Sequence, residues 1–136
     1  MSNELKEDKV LTLVPTEGTL ALHRYTNVYH EEEFQDNAPH HYFIADKNVE
    51  VDENGVPSFL GAISFQQGPI KESGVNGVMD ENLLAIVADR LKHFQISEFA
   101  SRENSMAIQH IEEALMWLKK RTDERDLRGV EGTHNV

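Results

Sequence analysis

Cysteine is absent from all 136 residues, and its absence removes disulfides and thiolate metal sites at once. A basic surplus is absent too: the formal net charge is −11, whereas a protein that lives on phosphate contacts along duplex nucleic acid carries a basic footprint. No apolar run approaches the roughly 18 residues of a membrane span. The opening MSNELKEDKV is charged, unlike the apolar centre of a signal peptide. Catalytic signatures are missing as well. There is no GxSxG elbow, no GxxxxGK[ST] phosphate loop and no HExxH pair. His40 and His41 are adjacent, so on a strand they face opposite ways and do not share an ion. No metal, no cofactor and no catalytic residue is expected.

The charge that is present is uneven. Residues 1–60 hold twelve acids against four Lys/Arg, and residues 61–136 hold twelve against nine. Five of those nine cations, Lys119, Lys120, Arg121, Arg125 and Arg128, lie close together near the end of the chain. An acidic protein with one local basic cluster can still hold a small anionic ligand.

The pattern predicts an α+β fold in a single domain over 1–136: a small N-terminal antiparallel sheet followed by a two-helix antiparallel hairpin. Residues 1–10 are expected to be disordered, 11–65 to be strand-rich, 66–79 to form a glycine-rich loop, 80–128 to form the hairpin, and 129–136 to be a tail. Within the first half, Val10 to Val14, TLALHRYTNVYH (19–30), HYFIAD (41–46), NVEV (48–51) and FLGAISF (59–65) read as strands. Asn54-Gly55 supplies a hairpin turn between the last two. In the second half Asp80 reads as a helix cap, and Leu83, Leu84, Val87, Leu91 and Phe94 recur at the spacing of one helical face. Ser101 caps a second helix whose apolar stripe is Ile108, Ile111, Leu115 and Leu118. Gly129 ends it. Two such stripes leave apolar surface over, so self-association through the helices is expected.

Three features bear on binding. Arg121, Arg125 and Arg128, spaced four and three apart, share a helix face and match phosphate oxygens. Cations also favour helix C-termini through the macrodipole, so spacing alone leaves both readings open. Phe94 can stack a base or simply pack, and Asn104 can read a base edge or sit as an ordinary first-turn residue. The loop FQQGPIKESGVNGV (65–78) carries Gly68, Pro69, Gly74 and Gly77, which either bring main chain close to a ligand or only turn a corner.

FQQGPIKESGVNGV, ENLLAIVADRLKHFQ, ENSMAIQHIEEALMWLKKRT and RGVEGTH, in this order, resemble the helical-hairpin domain of the phage Thoeris anti-defence sponge family, related to anti-CBASS sponges. The resemblance covers about residues 65–134. It implies a non-enzymatic protein acting in the host bacterial cytoplasm. Such a protein sequesters glycocyclic ADP-ribose or a related cyclic nucleotide, in some members a cyclic oligonucleotide, without cleaving it. It implies homodimers through the helices, which in some members build hexamers; the net charge and the lack of a long apolar run are what argue against duplex nucleic acid and membrane as partners. Carried over by residue, Phe94 would stack the adenine, with Asn104 hydrogen-bonding nearby. Arg121 and Arg125 would hold the pyrophosphate, bordered by Thr122 and Asp123. Arg128 and RGVEGT would close over the ligand, and Asn76, Gly77 and Val78 would offer backbone groups. Ser101 stands where the family commonly has cysteine. The rival readings are a protein–protein adaptor with no nucleotide ligand and an enzyme that cleaves the messenger.

Overall fold

The computed structural model describes residues 13–15, 24–54 and 58–136. Its contacts fall into two compact units, residues 1–67 and 68–136. The expected α+β arrangement is found: an antiparallel sheet, then helices. The expectations for residues 1–10, for the start of the first two strands and for Gly55 lie outside the described residues.

The sheet runs β1 (Leu13–Pro15), β2 (Thr26–Glu31), β3 (His41–Asp46) and β4 (Phe59–Ser64), in that spatial order, every neighbour antiparallel. HYFIAD and FLGAIS are strands as their β-branched and aromatic content predicts. Two expectations change. Arg24 and Tyr25 form a turn, so the second strand begins at Thr26 among the described residues. NVEV is not a strand, apart from an isolated bridge at Val51. The chain turns there because Asp46 accepts the Asn48 N–H at 2.8 Å, a local side-chain bond that competes with the ladder. β4 therefore pairs with β3, and a register shift between Ile44 and Ala45 marks where that pairing bends.

Ala45 is fully buried in this unit; Phe43, two residues before it and on the same face, packs on Phe59, and on the other face Tyr42 meets both His30 and Phe65. The acidic loop after β2 is held from inside. Glu31, 5% exposed, accepts the backbone N–H groups of His40 and His41 at 3.4 and 3.1 Å. His40 in turn donates from Nε2 to the Gln35 carbonyl at 2.7 Å.

The second unit begins with a surprise. Inside the glycine-rich loop, Ile70–Ser73 make one helical turn, α1, with Pro69 at its cap in extended backbone, its carbonyl accepting the Ser73 N–H at 2.7 Å. Gly68 and Gly74 flank it with φ of +81° and +70°, backbone that favours glycine. Gly77 has no such φ, so its presence is not explained by a left-handed turn.

α2 spans Asp80–Gln95 and α3 spans Arg102–Leu127. Asp80 is the first helical residue rather than the cap. Met79 occupies the cap position, and Asn82 reaches back to accept its N–H at 2.8 Å. Ser101 does cap α3, its hydroxyl accepting the Asn104 N–H at 3.0 Å. The far end closes on Gly129 (φ +71°). Its N–H bonds Asp126 and the Val130 N–H bonds Arg125, the paired bonds of a Schellman ending.

The helices run antiparallel, joined by the six residues Ile96 to Ser101 and tied by Lys92 to Glu112 at 2.7 Å. Ala88 is the buried residue between them, with Leu84, Leu91, Ile108, Ile111, Leu115 and Leu118 half-buried. Ile86, Val87, Met116 and Trp117 stay exposed, Trp117 at 57%. Among the described residues no helix is long and apolar enough to cross a membrane.

Candidate functional site

The hairpin separates the expected binding residues into two groups. Phe94 and Asn104 sit at the bend. Asn76, Gly77 and Val78 precede α2, and Arg121, Thr122, Asp123, Arg125 and Arg128 end α3, so these eight lie toward the open end. Seventeen residues at 1.5 Å each place Asn104 about 25 Å along α3 from Arg121. One chain cannot offer both groups to one small ligand.

The bend is built by a side chain that sequence reasoning passed over. Gln95 accepts the Ser101 N–H at 2.9 Å and donates to the Ser101 carbonyl at 2.8 Å and the Ser105 hydroxyl at 2.6 Å. Ser97 donates to the Phe94 carbonyl at 2.6 Å and accepts the Phe99 N–H. A glutamine at the last position of α2, six residues before a serine cap, was the available signal. These bonds hold Phe94 half-buried, with the Arg90 guanidinium 4.9 Å from its ring centroid. The Asn104 amide donates at long range to the Phe99 carbonyl, 3.5 Å.

At the open end the three arginines meet different fates. Arg121 is exposed and has no side-chain partner among the described residues. Arg125 is 20% exposed and grips the turn that follows α3. Its Nε donates to Glu131 at 3.2 Å, and one terminal nitrogen donates to the carbonyls of Val130 and Thr133 at 2.9 and 3.2 Å. Arg128 is exposed and donates to the Val136 carbonyl at 2.6 Å. Thr122 is half-buried. Asp123 pairs with Lys119 at 2.7 Å, and this hydrogen bond, then its charge, raises the ammonium above the usual lysine range.

The C-terminal turn also reaches α1. The Lys71 N–H donates to the Gly132 carbonyl at 3.0 Å, and His134 donates to Glu72 at 2.8 Å. RGVEGTH thus ties the glycine-rich loop to the arginine end of α3. Among the described residues no group of three or more His, Asp or Glu is placed to hold a metal ion.

Most of this hairpin falls within a known family. Residues 61–123 match the family described as "Acb2/Tad1, hairpin domain". The chain is also similar to a Bacillus phage SBSphiJ7 protein named "Thoeris anti-defense 1". The two are 47% identical over 129 residues, covering 82% of this chain and 91% of that protein. The match places the hairpin among phage anti-defence modules. The chain belongs to the phage Thoeris anti-defence family.

Proposed function

We propose that this anti-defence protein binds and sequesters cyclic ADP-ribose-type immune signals without cleaving them, and so blocks Thoeris immunity. The observation that carries the reading is the open end of the hairpin. Arg121 and Arg125 share one face of α3, and Arg121 has no partner to neutralise it among the described residues. Arginine forks there suit a pyrophosphate, and Phe94 at the bend offers a face to an adenine. Because the two groups lie about 25 Å apart along one helix, the site is completed by a second copy lying antiparallel. One protomer's Phe94 and Asn104 then meet its partner's arginine end. The exposed Ile86, Val87, Met116 and Trp117 supply the apolar surface such a pairing buries. Sequestration asks only for tight, slow-leaving binding, and a nanomolar complex needs about −12 kcal/mol.

The same exposed side chains also favour a second reading, an adaptor whose hairpin docks a host protein. Calorimetric titration with cyclic ADP-ribose isomers decides between them, followed by heating and chromatography of the released ligand. Tight binding with unchanged ligand recovered is the expected result. Altered ligand would mean an enzyme, and no heat with any isomer or cyclic oligonucleotide would leave the adaptor.

A further inference from the structure

Lys71 lies in α1, and neither its sequence position nor the arginine spacing links it to the end of α3. The C-terminal turn makes that link. The Lys71 N–H is bonded to the Gly132 carbonyl at 3.0 Å, and its side chain lies along the same residue. A Cβ built on Gly132 would meet Lys71 Cγ, Cδ and Cε at 3.1, 3.5 and 3.6 Å. The stem is therefore extended over the glycine. Gly132 also has φ +77°, backbone that favours glycine. Arg125 reaches the same four-residue turn from α3, through Val130, Glu131 and Thr133. Two cations from distant parts of the sequence thus flank one turn.

The nearby carboxylates are already engaged. Glu131 accepts from Arg125 with one oxygen and from the Gly132 N–H with the other, at 3.2 and 3.1 Å. Glu72 accepts from His134. Glu124 and Asp126 are the immediate neighbours of Arg125, and residues one apart on a helix do not share a face. The Lys71 ammonium finds no hydrogen-bond or ion-pair partner among the described residues and stands exposed. The second terminal nitrogen of Arg125 has no acceptor there either.

We propose that Lys71 is a further ligand-contacting residue, whose ammonium binds the diphosphate of the signalling nucleotide beside Arg125. The C-terminal turn is the template that carries it there. This rests on the sequestration reading above and extends its anion site to a residue of the glycine-rich loop. An ammonium is a compact point charge on a mobile stem, so it can follow a diphosphate that the planar forks hold rigidly.

Lys71→Met tests the idea cleanly. It keeps the backbone bond to Gly132 and the stem against it, and removes only the charge. Titrated with the cyclic ADP-ribose isomer that wild type binds, Lys71→Met should bind about tenfold more weakly, the scale of one charge-assisted contact. Lys71→Arg should recover most of the loss. The gap between wild type and Lys71→Met should narrow as salt rises, because an exposed charge is screened. Melting temperature should not change. Wild-type binding with Lys71→Met within twofold of it would overturn the inference and leave the sequestration reading intact. A loss that Lys71→Arg does not recover, or that salt does not narrow, would mean a structural role and would also overturn it. Failure of wild type to bind any isomer would remove both.

Discussion

The two units of this protein use their charged groups differently. In the sheet unit a buried carboxylate, Glu31, takes up backbone N–H groups of the loop beside it, and aromatic rings pack across the strands. In the hairpin unit Arg121 and Lys71 carry charge without a partner among the described residues, and Ile86, Val87, Met116 and Trp117 face outward. Tyr25, Val51 and Leu60 face outward in the sheet unit too, so exposed apolar side chains do not separate the two. What the hairpin unit adds is cations free among the described residues at one end, Arg121 and Lys71, and such a charged end has surface to give to a ligand. The family match spans 61–123, most of the hairpin and the end of the last strand, while the Bacillus phage relative aligns with 82% of the chain.

The contrast can be broken most forcefully at Arg125. Arg125→Ala should abolish ligand capture, weakening it about a hundredfold or more, and Phe94→Ala should do the same at the other end. The two should differ in stability. Arg125→Ala also loses its bonds to Val130, Glu131 and Thr133, about 1–3 kcal/mol by thermal melting, while Phe94→Ala keeps the Gln95 clasp. Wild-type affinity in both variants would put the site elsewhere.

Glu31→Ala is the matching test in the sheet unit. It strands the N–H groups of His40 and His41 and should cost about 2 kcal/mol in denaturant unfolding, with ligand affinity unchanged. A drop in affinity would show that the sheet takes part in binding.

Within the glycine-rich loop, Gly68→Ala should destabilise by about 2 kcal/mol and Gly74→Ala by about 1. Both have positive φ, but only at Gly68 would a Cβ collide, 2.6 Å from the Ser73 hydroxyl. Equal melting temperatures would mean that α1 moves to make room. The smallest effect belongs to Ser101→Ala. Loss of the cap on Asn104 should cost about 1 kcal/mol, read as reduced helicity and a lower denaturation midpoint.

Much of the hairpin was legible in the residues. Ser101 and Gly129 are punctuation whose bonds span three to five residues, so their effect shows in local sequence. Asp80 misled because Asn82, two residues on, supplies the side-chain bond to Met79 instead. NVEV misled because its β propensity gave way to the Asp46–Asn48 turn beside it. The site was legible by residue type and by resemblance, but not as an arrangement. Arg121, Arg125 and Arg128 share a face in principle, yet Arg125 turns inward to the C-terminal segment while Arg121 stays free among the described residues.

What the sequence determined alone was the local record: strands at HYFIAD and FLGAIS, two helices with a serine cap and a glycine ending, and arginines at one end. Apolar periodicity and capping act within a few residues, so the chain states them directly. The tertiary structure decided which distant groups meet. Glu31 holds His40 and His41, Gln95 clasps Ser101 and Ser105, and Gly132 receives Lys71 across sixty residues of chain. Those contacts depend on how elements close on one another, and side-chain spacing along a single element carries no record of that closure.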